Sequence, residues 1–305
     1  DESARAHEAK RRADVARETV DIITARRYTP CALEAEVDLS QALDRSVEAT
    51  VAIPPSASLN PPEGRGPVNG ACRVHVSNCS TLSAAHELVA AGHSVALLNF
   101  ASAKNPGGGF LRGAHAQEEN LSRNSTLYAT LTAGAGVSDF YGSHRRQKDP
   151  LYSDAVIYSP GVSVIRDEAS AALLPEPWTV AMLTAAAPNA GVARGAGVDD
   201  ATVDKAYRRR ASRVLEVAAA FGHDAIVLGA WGCGVFQNSP ERAALAFAAL
   251  LRGRFVHTFR EVRFAIIGPV QNRAPFEAVF NAPAPTSVSL SSMRPPPQLV
   301  PSGQG

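Results

Sequence analysis

Between residues 71 and 281, short strand-like runs rich in β-branched residues alternate with Ala/Leu-rich stretches of helical period, and this alternation limits what the chain can fold into. The strand-like runs are Arg73–Ser77, Val95–Phe100, Ala155–Tyr158, Thr179–Leu183, Ala225–Leu228 and Arg263–Ile267. Most are continuously apolar rather than alternating, as in strands covered on both faces. Ser80–Ala91, Gln117–Leu131, Ala201–Ala220 and Pro240–Leu251 carry the helical pattern that would supply the two covering layers. The sequence therefore predicts an α/β chain built as an α/β/α sandwich.

The flanks behave differently. From Ser3 to Arg27, Val15, Thr19, Ile22 and Ile23 share one helical face while charged residues fill the rest, the pattern of a surface helix docked on a core. Asp38-Leu39-Ser40 opens a second short helix, and Pro54–Gly70 is too rich in Pro and Gly for a helix or central strand. From Ala282 the chain is Pro- and Ser-rich and cannot bury enough surface to order itself. The predicted organisation is a helical extension over 1–70, a catalytic domain over 71–281 and a disordered tail over 282–305.

Composition excludes several classes. Thirty Lys and Arg against 29 Asp and Glu leave a net charge of +1, too little for a general attraction to nucleic acid or to an anionic membrane. No run approaches the ~18–20 apolar residues of a membrane span. The charged first 25 residues contain no apolar secretory segment. Cys31, Cys72, Cys79 and Cys233 match neither a disulfide framework nor a zinc spacing. A cytoplasmic, reduced, monomeric protein is expected, with no membrane partner.

Two glycine-rich loops carry the chemistry. In the first, the strand ending at Asn99-Phe100 runs into Gly107-Gly108-Gly109, followed by a helix that starts at Gln117-Glu118-Glu119. Ligands of open α/β sheets bind beyond the carboxyl ends of the strands, and glycines let backbone amides come close to them. A tight turn would read the same, and no Gly-Lys-Ser/Thr follows to make a nucleotide-triphosphate loop. The second loop, Leu228-Gly-Ala-Trp-Gly-Cys-Gly-Val-Phe-Gln-Asn238, again links a strand to a helix, and Gly229, Gly232 and Gly234 could form an amide nest for a diphosphate. Acidic residues in a first helical turn often serve only the helix dipole. Beside a loop that binds an anion, however, a carboxylate with a like-charged neighbour is pushed toward its protonated form, as a general acid requires.

The glycine triplet, seven residues and then Gln117-Glu118-Glu119, with the Asn99–Gly109 approach and the distal Gly-Ala-Trp-Gly-Cys-Gly-Val-Phe-Gln-Asn loop, resembles the macrodomain-type poly(ADP-ribose) glycohydrolases in their shorter bacterial form. The resemblance covers roughly residues 10–281, including Val37–Ser40 and Ile157–Val162. It implies a three-layer α/β/α macrodomain-like fold with a mixed central sheet and an N-terminal helical extension. It also implies ADP-ribose or poly(ADP-ribose) as the ligand, and neither a metal nor another cofactor. By this resemblance Glu119 is the catalytic acid, and Glu118 positions the ribose through its hydroxyls. Gly107, Gly108 and Gly109 would line the distal ribose and the diphosphate, Asn105 would contact a ribose and Gln117 the substrate, while Gly232, Cys233, Gly234, Val235 and Phe236 would hold the diphosphate, with Phe236 packed on the distal ribose.

Other readings stay open from the residues themselves. The same acid and loops would serve ADP-ribose on a nucleic-acid base or a protein side chain, or a module that only binds ADP-ribose. Gln117-Glu118-Glu119 could also be no more than a helix start. His115 is more naturally a surface group than a catalyst, and Cys233 a small packing residue than a nucleophile, since no activating base is marked. Arg145-Arg146, Lys148 and Arg208-Arg209-Arg210 are small basic clusters of the kind that face solvent. Trp178 and Trp231 are expected in the core or in a cleft wall.

Overall fold

The computed structural model describes residues 2–31, 35–60 and 72–281, so the expectation for 282–305 and part of the Pro/Gly-rich loop lies outside the described residues. The elements in chain order are α1 (Glu2–Ala25), β1 (Arg27–Tyr28), β2 (Val37–Asp38), α2 (Ser40–Glu48), β3 (Val51–Ile53), β4 (Arg73–Ser77), α3 (Thr81–Ala90) and β5 (Val95–Phe100). A 3₁₀ turn at Phe110–Arg112 precedes α4 (Gln117–Asn124), α5 (Leu127–Ala133), α6 (Val137–Gln147), β6 (Val156–Arg166) and β7 (Leu173–Ala185). The chain continues through α7 (Ala190–Gly195), α8 (Asp200–Ala220), β8 (Ala225–Leu228), α9 (Pro240–Arg252), β9 (Glu261–Ala265) and α10 (Val270–Phe280). Among the described residues no helix is long and apolar enough to cross a membrane.

Seven strands form one mixed sheet in the order β3-β6-β7-β5-β8-β9-β4. The five from β7 to β4 run parallel, and β6 is antiparallel to both β7 and β3. One face is covered by α8, α9 and α10, whose Tyr207, Val214, Phe247 and Phe276 pack with Ile226, Phe264 and Leu98. The other face is covered by α3 to α6, through Leu82, Leu88, Leu121, Leu131 and Phe140 against Leu97, Ile157 and Met182. This is the α/β/α layering that the continuous apolar runs predict, with each central strand buried on both sides.

Helix α1 docks through Ala13, Ala16, Thr19 and Ile22, which recur every three residues, whereas Val15 and Ile23 are only half-buried. Buried Thr19 donates to the Arg123 carbonyl at 2.7 Å, and Arg166 reaches Glu18 at 2.8 Å. The extension thus fastens directly onto α4 and the end of β6. Ser80 caps α3 by accepting from the Ser83 amide, and Ser239 caps α9 in the same way with Pro240 in its first turn.

The sequence reads 117–131 as one helix, but the structure breaks it. Ser125 is extended and bridges Val164, and Thr126 exchanges hydrogen bonds with Ser163, donating its amide at 2.9 Å and accepting through Oγ1 at 3.0 Å. Docking on β6 satisfies backbone groups that a continuous helix would have satisfied internally. Strands β6 and β7 extend well past their apolar cores, because a bulge between Ser159 and Val162 accommodates Pro160 and Gly161. Helix α10 and the edge strand β3 lack a clear apolar period, whereas α6 places Val137, Phe140, Tyr141 and His144 at i, i+3, i+4 and i+7. Phe140, Tyr141 and His144 bury one side of α6 in spite of its charged end.

Adjacent parallel strands β5 and β8 pair from Val95↔Ala225 to Leu97↔Val227. Both glycine-rich loops therefore leave the sheet side by side, at the carboxyl ends where such sheets bind ligands.

Candidate active site

The first loop leaves β5 at Phe100 and returns as α4, and Gln117 closes it like a clasp. Its side-chain oxygen accepts from the Phe100 amide at 2.8 Å, and its nitrogen donates to the Leu98 carbonyl at 2.8 Å and to Thr81 Oγ1 at 3.1 Å. The start of α4 is thereby fixed against the end of β5. The next two residues, one step apart on the helix, both direct their carboxylates at the glycine triplet. A Cβ on Gly108 would overlap Glu119 Oε1 and lie 3.0 Å from Glu118 Oε2, and the residue has φ +61°. Only glycine meets both constraints. Asn105 is exposed and shapes the same turn, its carbonyl accepting from the Gly108 amide at 3.0 Å.

Glu118 is 3% exposed. It accepts from the Ser102 amide at 2.6 Å, from Asn99 Nδ2 at 3.4 Å and from the Gly107 amide. Burial pushes this carboxyl up to about 8, the Glu119 charge adds to the rise, and the three donors oppose it. Glu118 therefore holds a proton at neutral pH. Glu119 is half-buried and accepts from the Gly109 amide at 2.9 Å. The amides of Gly107, Gly108 and Gly109 are thus all engaged within the protein. Around Glu118 lie three buried oxygens with no partner among the described residues: Asn99 Oδ1, Ser122 Oγ and Tyr141 Oη.

The second loop is arranged the other way. Trp231 is fully buried and donates to the Ala185 carbonyl at 3.2 Å, anchoring the loop to the end of β7. Asn238 closes it by donating to Pro188 and Gly232 carbonyls at 2.8 and 3.0 Å. Among the described residues no acceptor takes the amides of Gly232, Gly234, Val235 and Phe236. Four unengaged donors in one loop form an anion-binding concavity. A cavity of about 140 Å³ lies between the loops, walled by Phe100, Ala116, Gln117, Ala187, Trp231 and Phe236. Gly234 borders it with nothing within 4 Å of a Cβ position, and Val235 is 87% exposed at the rim.

Of the sequence-predicted residues, Gln117, Gly232, Gly234, Val235 and Phe236 line this cavity, while Glu118 and Glu119 meet over Gly108 at the start of α4. Gln117 borders the cavity, but its carboxamide is engaged with backbone. Cys233 turns its thiol against the core, where burial pushes it up to about 12, so the thiolate is absent at neutral pH. His115 is exposed, with a pKa lowered by partial burial and by Arg12 and Arg123. Arg208 and Arg209 face solvent, Arg209 beside Asp154, whereas Arg210 is fully buried and paired with the same Asp154. Sequence reasoning missed Asn99 and Ser102, which hold Glu118. It also missed Tyr152, whose ring lies 5.9 Å from that of Phe236 and whose φ is +58°. Asn99 closes a continuous apolar strand, and a lone polar residue there is the one signal that could have marked it.

Comparison with known proteins agrees with this geometry. Residues 16–167 match the catalytic domain of microbial-type PARG. The crystal structure of poly(ADP-ribose) glycohydrolase (PARG) from Thermomonospora curvata is similar, with 42% identity, a TM-score of 0.82, and 89% of this chain and 100% of that one covered. The same enzyme bound to the inhibitor ADP-HPD matches at 43% identity and a TM-score of 0.78, over 88% and 98% of the two chains. PARG from Deinococcus radiodurans in complex with ADP-ribose matches at 38% identity and a TM-score of 0.70, over 78% and 96%. A comparison with curated proteins gave no significant match. The chain belongs to the microbial-type poly(ADP-ribose) glycohydrolase family.

Proposed function

We propose that this protein hydrolyses the O-glycosidic ribose–ribose bond of poly(ADP-ribose) and releases ADP-ribose. The observation that carries the reading is the pairing of two unlike loops across one cleft. One presents four unengaged amides suited to a diphosphate, and the other fixes two carboxylates over Gly108. The terminal ADP-ribose places its diphosphate on Gly232–Phe236, with Cys233 contributing backbone only. Phe236 packs on the distal ribose, and Asn105 and Gly107–Gly109 border it.

Glu119 then protonates the departing 2′-oxygen as the C1″–O2′ bond breaks. The bonding electrons leave with that oxygen, and the diphosphate helps to stabilise the oxocarbenium-like ribosyl cation. Water adds to C1″ and returns a proton to Glu119, now the base. Protonated Glu118 donates to a ribose hydroxyl and holds the sugar. Adjacent carboxylates on one side of the bond distinguish this site from glycosidases whose two acids flank the bond. Residues 71–281 form the catalytic unit in this reading and 1–70 an extension that serves it. The free thiols of Cys31, Cys72, Cys79 and Cys233 suit a reducing cytoplasm.

Chromatography of ADP-ribose released from poly(ADP-ribose) tests this. Glu119→Gln is expected to lower kcat by about 100- to 10,000-fold, the span of general acid–base catalysis, while still binding ADP-ribose. Release from ADP-ribosylated DNA but not from the polymer would change the substrate. Binding without turnover by the wild type would make the protein a reader.

A further inference from the structure

A second cavity, of about 110 Å³, lies between α1 and α4 and shares no lining residue with the cavity between the glycine loops. The two are nonetheless close along the chain. Ala116 and Gln117 border the first, while His115 and Asn120 border the second, with Glu119 between them in sequence. Arg123 also lines the second cavity, four residues after Glu119 and therefore on the same face of α4. Both His115 and Arg123 feel the charge of Glu119.

The cavity is basic. Arg11 and Arg12 line it from α1 and share one carboxylate, Glu8, at 3.1 and 3.5 Å. Glu168 is engaged by Ser80 and Asn120. Arg123 is only 5% exposed, donates to the Ala114 carbonyl at 2.7 Å, and has no carboxylate within ion-pair distance among the described residues. A buried guanidinium without a counter-ion is costly and favours an arriving anion. His115, with its pKa lowered, adds an uncharged hydrogen-bonding group at neutral pH. Helix α1 is held in register by Arg12, which donates to the Gly113 carbonyl at 2.8 Å, and by Gly113 itself, where a Cβ would overlap the Ala9 carbonyl.

The glycohydrolase reading, on which this inference rests, fixes what must lie beyond Glu119. The protonated oxygen belongs to a nucleoside that carries its own diphosphate. We propose that the α1–α4 cavity is the leaving-group subsite, where Arg11, Arg12 and Arg123 receive the diphosphate of the polymer unit whose 2′-oxygen departs. The N-terminal helix thereby supplies two of the three cations that recognise polymer rather than free ADP-ribose.

Arg11→Glu tests this, because the Arg11 side chain is 57% exposed and among the described residues pairs only with Glu8, so that folding is kept, as thermal melting would verify. Wild type and variant are assayed on poly(ADP-ribose), on 4-nitrophenyl ADP-ribose, whose leaving group is small and carries no phosphate, and on an ADP-ribosylated DNA oligonucleotide. For the variant, KM for polymer is expected to rise about 3- to 10-fold more than KM for the nitrophenyl conjugate, a gap that narrows in high salt. Arg11→Lys should restore most of it. An unchanged polymer KM, or equal rises for both substrates, would overturn the subsite. A rise confined to the DNA conjugate would overturn the assignment to polymer. A wild type that cleaves no polymer at all would remove the glycohydrolase reading itself, an outcome visible before any variant is compared.

Discussion

The two glycine loops leave neighbouring parallel strands and look interchangeable in composition, yet they use glycine for opposite reasons. In Gly107–Gly109 the missing side chains make room for the protein's own acids, and all three amides are engaged internally. In Gly232–Phe236 the loop is anchored from behind by Trp231 and Asn238, and its amides are left unengaged. A nest must keep unsatisfied donors where water or a ligand can reach them, whereas a catalytic carboxylate must be held still. Placing those demands on separate loops lets one cleft meet both. The glycine triplet thus mounts the two acids.

Gly108→Ala should break the first loop. Left-handed backbone costs a non-glycine residue about 1–2 kcal/mol, and the new methyl must displace the Glu119 carboxylate. A shift of roughly 1 Å in a catalytic group costs about 100-fold in rate, so kcat should fall at least that far while ADP-ribose binding by calorimetry falls less. Gly234→Val should do the reverse. Its Cβ meets nothing, so melting should change by less than ~0.5 kcal/mol. The side chain would fill the space before the free amides and weaken ADP-ribose binding by about tenfold or more. Equal losses of binding in both variants would erase the distinction between the loops.

Local chemistry explains what was legible in the sequence. Strands β4, β5 and β8 match their predicted ends because the apolar run and the burial coincide, and Ser80 and Ser239 mark helix starts because capping is local. The break at Ser125 and the edge strand β3 depend on partners more than 30 residues away, which no window of sequence displays, and the long β6–β7 hairpin depends on a bulged register that its apolar runs do not mark. In the site, the adjacency of Glu118 and Glu119 to the glycines was readable. Their inequality was not, because Glu118 is buried by Asn99 and Ser102 from another segment. The carboxyl pushed upward is Glu118, with burial as the largest cause and the Glu119 charge adding to it.

That inequality predicts a pH dependence. The Glu118 carboxyl lies at about 8 in the fold against 4.5 as its ordinary value, so the folded state binds the extra proton between these limits. Stability is then greatest below the unfolded value, declines as pH rises from about 4.5 to 8, and levels off above. Denaturant melts of wild type and Glu118→Gln across this range should diverge, with the neutral variant more stable on the order of 3 kcal/mol at pH 8–9. Parallel curves would mean that the carboxyl is solvated and the two acids equivalent.

The smallest effect is expected at Cys233, whose side chain packs on the core from within the second loop. Its thiol packs on the core beside Tyr207 and Trp231, which share that cluster, and burial keeps it protonated. Cys233→Ala therefore removes one buried sulfur, at about 1 kcal/mol of stability, and leaves the amide of residue 233 donating to the Ala230 carbonyl as before. Turnover of poly(ADP-ribose) should stay within about twofold, and the native protein should resist alkylation of this thiol at pH 8, because only the thiolate reacts. Rapid labelling accompanied by loss of turnover would give the second loop a reactive group of its own, and the division between a loop that holds acids and a loop without reactive side chains would no longer stand.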